Sequence, residues 1–183
     1  ILTIETGLAG YKTVAVSDDG KRMVVADRDV GEAVIIYDLG TGKATKTLPL
    51  PAKPPLSAKV SKSDLAKVPE KGVDGLSLSH DGRRLVVKRK YVDGWIELRM
   101  IDSETGTSLW SQEVINGEIV FNHNGTLLSM VSEGKSRYSR LLDVEDGKEK
   151  SKFAVNASCH AFSPDGAMLA VGSNEGTVYI MDA

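Results

Sequence analysis

Short apolar runs separated by Asp-Gly and Asn-Gly punctuation set the rhythm of this 183-residue chain. The clearest stretch is FSPDGAMLAVGSNEGTVYIMD, from Phe162 to Asp182. Its two apolar runs, MLAVGS and TVYIMD, each follow a turn signal, first Asp165-Gly166 and then Asn174-Glu175-Gly176. Runs of that length with such borders predict strands joined by tight hairpins. The same phrase returns upstream as Ser17-Asp18-Asp19-Gly20, Ser79-His80-Asp81-Gly82 and Asn122-His123-Asn124-Gly125, ahead of Ser163-Pro164-Asp165-Gly166. The turn glycines are 62, 43 and 41 residues apart. A period of roughly 40 to 45 residues is that of a four-stranded propeller blade. A second marker keeps the same beat, because Asp38, Asp102, Asp143 and Asp182 each close an apolar run. In the first three copies a Gly follows four residues later, at Gly42, Gly106 and Gly147.

Each copy reads as four strands, a to d. Strand a is TVAVS, LSLS, EIVFN or HAFS, which alternates as a half-buried strand does. Strand b is RMVVAD, RLVVKR, TLLSMVS or MLAVGS, and strand c carries the run that ends on Asp. Strand d follows the second Gly as ATKTLPL, TSLWSQE or EKSKFAV. The fourth copy stops after strand c, whereas Ile1 to Glu5 (ILTIE) reads as a d strand with nothing before it. The fold class expected is therefore all-β, a β-propeller with four four-stranded blades visible over residues 1–183. Either the N-terminal strand closes a four-blade ring or the chain is a segment of a larger propeller, and the segment is favoured because four-bladed rings sit at the low limit. Residues 49–73 form a Pro/Lys-rich insertion between the first and second blades, with five prolines and a local charge of +3. Within it SKSDLAKV is expected to make one helical turn capped by Ser61 or Ser63.

The fourth copy resembles a WD repeat over its whole length: strand a, Asp-Gly turn, strand b, Gly-Thr turn, strand c. The other copies resemble it more loosely and cover most of the chain outside the insertion. The resemblance implies a WD-like propeller serving as an interaction scaffold. Three departures mark this one as divergent. Tyr37, Ile101, Leu142 and Met181 stand where the family has Trp before Asp, the Gly-His pair ahead of strand a is absent, and Glu175 replaces the Asp of the b–c turn. The family's His–Asp hydrogen-bond network is accordingly not expected.

Composition narrows the chemistry. With 26% charged residues and a formal net charge of −2, no global field selects nucleic acid or an acidic membrane. No apolar stretch is long enough to span a bilayer, and the N-terminus lacks a secretory pattern. The chain begins at Ile1 inside a strand-like run, which points to excision from something longer. A lone Cys159 excludes an internal disulfide framework and a multi-thiolate metal site. No Gly-x-Ser-x-Gly elbow and no Gly-x-x-x-x-Gly-Lys phosphate loop occurs, so no catalytic residue is assigned. No cofactor or metal is expected either. His80 and His123 share one turn position in successive blades, and rotation about the propeller axis is expected to hold them well apart as exposed turn residues. His160 stands where the other copies have Val14, Leu76 and Ile119. It reads as a buried histidine satisfied by a neighbour or, with Cys159 beside it, as a channel-lining ligand or proton-linked group.

Basic and aromatic residues gather where the b–c and d–a loops emerge together. Lys88, Arg89 and Lys90 end strand b of the second copy, with Tyr91 and Trp95 beyond them. Lys135, Arg137, Tyr138 and Arg140 surround the b–c hairpin of the third. Lys53, Lys59, Lys62, Lys67 and Lys71 of the insertion would join that face. These residues read either as ordinary solvated loops, with Asp93 and Glu133 partly cancelling the charge, or as a candidate partner-binding face for a protein or peptide, acidic in character, in preference to a nucleic-acid backbone. The function expected is a non-catalytic interaction module. The alternatives are part of a propeller-borne enzyme whose site is completed elsewhere, and a structural segment whose open blade edges pair with a second copy.

Overall fold

Every a–b turn is closed by its own side chains. The Ser17 hydroxyl donates to Asp19 Oδ1 (2.7 Å) and accepts from the Arg22 amide (3.0 Å), while the Lys21 amide donates to Asp19 Oδ1 (3.0 Å). Ser79 and Asp81 repeat this pattern with Arg84 and Arg83, and Ser163 and Asp165 repeat it with Met168 and Ala167. In the third copy Asn122 Oδ1 takes the amides of Thr126 and Leu127. The turn ends on Gly20, Gly82, Gly125 or Gly166 at φ of 68° to 72°, a region that L residues enter only with strain. At the other hairpin, the Asp that ends strand c accepts backbone amides from the c–d turn: Thr41 onto Asp38, Thr105 and Glu104 onto Asp102, and Glu145 onto Asp143. Those amides hold all three carboxyls below the usual aspartate range.

The computed structural model describes residues 3–8, 12–27, 33–50, 70–91, 96–114, 117–132 and 138–183. Those described residues form fifteen strands in four antiparallel sheets. The first blade is β1 (Lys12–Val16), β2 (Arg22–Asp27), β3 (Ala33–Asp38) and β4 (Lys43–Pro49); the second is β5 (Glu70–Leu78), β6 (Arg84–Tyr91), β7 (Ile96–Asp102) and β8 (Ser108–Val114). The third is β9 (Gly117–Phe121), β10 (Leu127–Ser132), β11 (Ser139–Asp143) and β12 (Glu149–Phe153). The fourth has three strands, β13 (Ala157–Phe162), β14 (Met168–Ser173) and β15 (Val178–Asp182). Strands pair in sequence order within each sheet, as the blade reading expects. Residues 3–8, in part the expected closing strand, form no strand and do not join the fourth sheet. Strand a of the second blade begins earlier than the pattern suggested, at Glu70, through two register shifts before Gly75. The rest of the insertion, with its expected helical turn, lies outside the described residues.

Three apolar seams lie between the four sheets. Val24, Ala26, Ile36 and Leu48 of the first blade face Leu78, Leu85, Val87 and Ile101 of the second. Val86, Leu98 and Met100 meet Phe121, Leu128, Met130 and Leu142 of the third, and Val131 and Leu141 meet Leu169 and Val171 of the fourth. A middle blade is therefore buried on both faces, which is why β7 is interior along nearly its whole length. The a strands pack successively, β1 on β5, β5 on β9 and β9 on β13, and so lie on the inside of the curve. Polar clasps tie neighbouring blades at their turns. Arg22 reaches the Gly82 carbonyl, Ser103 and Glu104, Arg84 takes Glu145 at 2.8 Å, and the Trp110 indole donates to the Val144 carbonyl at 2.8 Å. The arc is open at both ends among the described residues. Val14 on β1 is 51% exposed, and Val178 and Ile180 on β15 are 65% and 60% exposed.

Candidate functional site

The period of two along a strand sorts the basic residues of β6. Lys88 and Lys90 lie opposite Leu98 and Ile96 and share the face turned to the third blade. Arg89 lies opposite Glu97, on the face that carries Leu85 and Val87 against the first blade. Lys88 runs its stem along the seam, pairs with Asp74 at 3.1 Å and donates to the Gly117 carbonyl of the next blade at 3.2 Å. Arg89 and Tyr91 are not loop-face anchors presented to solvent, because both side chains are interior. Arg89 and Glu97 are 2% and 1% exposed and 3.9 Å apart, Arg99 bonds the same carboxylate, and the Tyr91 hydroxyl donates to Glu97 Oε2 at 3.1 Å. Two guanidiniums and a phenol thus share one buried carboxylate inside a blade seam. The alternation Leu85, Val87, Arg89, Tyr91 already carried that signal.

Blade three presents a different arrangement at the b–c end. The Arg140 guanidinium lies 5.2 Å from the centroid of the Tyr138 ring, and the Lys152 ammonium lies 4.2 Å from the same ring. The β11–β12 register sets Lys152 directly opposite Arg140, so the two cations stand side by side next to Tyr138. Arg140 is further held by Glu149 at 3.8 Å, while Lys152 is exposed. Sequence reasoning missed Lys152, because it lies on strand d, remote in sequence from the b–c hairpin it joins. Trp95, Lys135, Arg137 and Lys53, Lys59, Lys62 and Lys67 lie outside the described residues, and Lys71 lies on β5.

His160 is held as one of its two readings expected. Its Nδ1 lies 2.6 Å from the Ser129 hydroxyl of the third blade, Nε2 is buried without a hydrogen-bond partner, and burial pushes its pKa down to about 4. Cys159 does not share that site. It is the adjacent strand residue, it points to the other face and it is exposed.

The separation expected of His80 and His123 does not hold. Their ring centroids lie 4.1 Å apart, and His80 Nδ1 lies 3.7 Å from Asp18 Oδ2 on the first blade. The a–b turns hang from the innermost strands, where neighbouring blades converge, so the rotation that parts outer strands leaves these turns in contact.

No protein-family model and no curated protein matches the chain. Among solved structures it is similar to a chain in the crystal structure of the mitotic checkpoint complex, at 21% identity and a TM-score of 0.58. The likeness covers 93% of this chain and 46% of that one, so the chain spans about half the length of the structure it matches. At that identity the likeness concerns architecture: successive four-stranded antiparallel blades with the WD-like phrase in their turns make this chain an all-β propeller fold.

Proposed function

We propose that the chain is a non-catalytic interaction module that binds a protein or peptide, acidic in character, through its b–c and d–a loop face. One observation carries the reading: the Tyr138 ring has both the Arg140 and the Lys152 cation in contact at the edge of that face. An aromatic ring pre-positioned by two cations offers apolar contact and charge together at little entropic cost, as interface anchors do. Lys90 of the neighbouring blade, Trp95, Lys135 and Arg137 belong to this face in the proposal, whereas the Lys88 charge is taken up by Asp74. Rigidity supports the reading too, since blades stitched by Arg22, Arg84 and Trp110 hold their loops in fixed relation. The matched solved structure is by its title a multi-protein complex, which favours protein over nucleic acid as partner.

The test is an array of acidic peptides probed with the chain and with a Tyr138→Ala, Lys152→Glu variant. Loss of an aromatic anchor and reversal of its cation should weaken binding by more than about 1 kcal/mol, several-fold or more in affinity. Unchanged binding in a folded variant would remove this face as the interaction surface.

A further inference from the structure

In the a–b turns, three of four positions are committed to the turn itself. The first supplies the hydroxyl or amide oxygen, the third a carboxylate or amide, and the fourth the glycine with positive φ. The second takes no part in that bonding, and its occupants are Asp18, His80, His123 and Pro164. Three of those four carry metal-binding donor atoms, and the three belong to successive blades. One ligand atom from each of Asp18, His80 and His123 lies within 4.8 Å of the others. His80 Nδ1 is shielded from solvent and has no hydrogen-bond partner, though Asp18 Oδ2 stands 3.7 Å away. The His123 ring lies against the His80 ring at an interplanar angle of 51°. A shielded imidazole nitrogen just beyond hydrogen-bond reach of a carboxylate, with a second imidazole alongside, is a donor set arranged around a gap.

We propose that Asp18, His80 and His123 form a site for a late first-row divalent cation, zinc being the best fit, at the inner end of the a–b rim. Two imidazoles and one carboxylate are the donor types such ions take, and three protein ligands leave a position for a fourth. Donor atoms around a tetrahedral zinc stand about 3.3 Å apart, from bonds of about 2.0–2.1 Å. Moving from separations within 4.8 Å to that spacing takes side-chain rotation on the turns, with the blades left in place. A cleft of about 200 Å³ lined by His80, Asp81, His123, Asn124 and Gly125 opens beside the trio and has room for a water or a partner's side chain as the fourth ligand. The ion would join three blades at a rim opposite the proposed binding face, so it stands independently of that reading. The competing arrangement is a plain ion pair between protonated His80 and Asp18, which takes up no metal.

Titration of the chain with Co²⁺ alone, read by visible absorption, and with Zn²⁺ alone, read by calorimetry, separates the two. One equivalent should bind saturably at about pH 7.5 and more weakly at about pH 5.5, because protons compete for the ligands. His80→Asn and His123→Asn should each weaken Zn²⁺ binding by more than the roughly 10–100-fold that outer-sphere changes cost. Zn²⁺ should raise the unfolding midpoint of the wild-type chain and leave both variants unmoved. Circular dichroism checks that the variants fold, which is expected at a position where the fourth blade carries Pro164. No saturable uptake by the folded chain, or uptake undiminished in the His80→Asn, His123→Asn double variant, would overturn the proposal. Undiminished uptake in Asp18→Asn would overturn the three-ligand set.

Discussion

The His160–Ser129 contact makes a quantitative prediction about acid stability. His160 is the only histidine placed where the repeat otherwise carries an aliphatic residue, and burial lowers its pKa to about 4. In the unfolded chain the same ring titrates at its ordinary value of about 6.5. The unfolded state therefore takes up the proton first on acidification. The contribution is fully present above about pH 6.5, drains as pH falls toward 4 and is flat below that. Between about pH 8 and pH 5 the difference in proton uptake amounts to about 2 kcal/mol, rising to about 3 kcal/mol at the acid limit. Other groups also titrate, including the turn aspartates, so the comparison must cancel them. A Ser129→Ala, His160→Leu double variant does this, since replacing both partners by apolar groups avoids stranding the buried hydroxyl. Leucine is also the residue at the matching place in the second blade, Leu76. Urea unfolding of both proteins at about pH 7.5 and about pH 5 gives the double difference, and the wild type should lose about 2 kcal/mol more than the variant. Parallel losses, or an NMR titration that places the His160 ring near its ordinary value, would refute the reasoning.

Two other predictions concern turns and seams. Gly20→Ala meets open space at φ +68° and should cost only the left-handed strain, about 1–2 kcal/mol. Gly147→Ala adds a methyl 2.7 Å from the Trp110 ring, which its bond to the Val144 carbonyl holds in place, so it should cost a further ~1–3 kcal/mol; equal losses in urea unfolding would show that the ring yields freely. Glu97→Ala removes the carboxylate shared by buried Arg89 and Arg99 and should destabilise by about 3–5 kcal/mol. Arg84→Ala removes a partly exposed clasp to Glu145 and Asp102 and should cost less than Glu97→Ala, with part of its loss screened by salt, so a smaller loss for Glu97→Ala than for Arg84→Ala in the same denaturation series would refute the ranking.

The repeat was legible because each blade spells its own hairpins. Gly20, Gly82, Gly125 and Gly166 stand where the backbone needs positive φ, and Asp38, Asp102 and Asp143 stand where turn amides need an acceptor. Such requirements are local, so a linear pattern can carry them. The candidate face was legible only in part. Tyr138 and Arg140 were within reach of a local reading, whereas Lys152 joins them only through the register of β12 on β11. Arg89 and Tyr91 look like loop-face residues by position, yet strand periodicity turns them into a seam that exists only once the first blade packs on the second.

Strand order within each blade and turn positions were thus written along the chain, since each depends on neighbours a few residues away or on the blade period. Which charges are buried, and which turns meet, depended on the radius at which each element sits. His80 and His123 are 43 residues apart and identically placed in their repeats, and their rings come within 4.1 Å because a–b turns crowd the inside of the curve. Repeat spacing in sequence counts blades, but distance between equivalent residues grows with distance from the axis, and only the packed sheets set that distance.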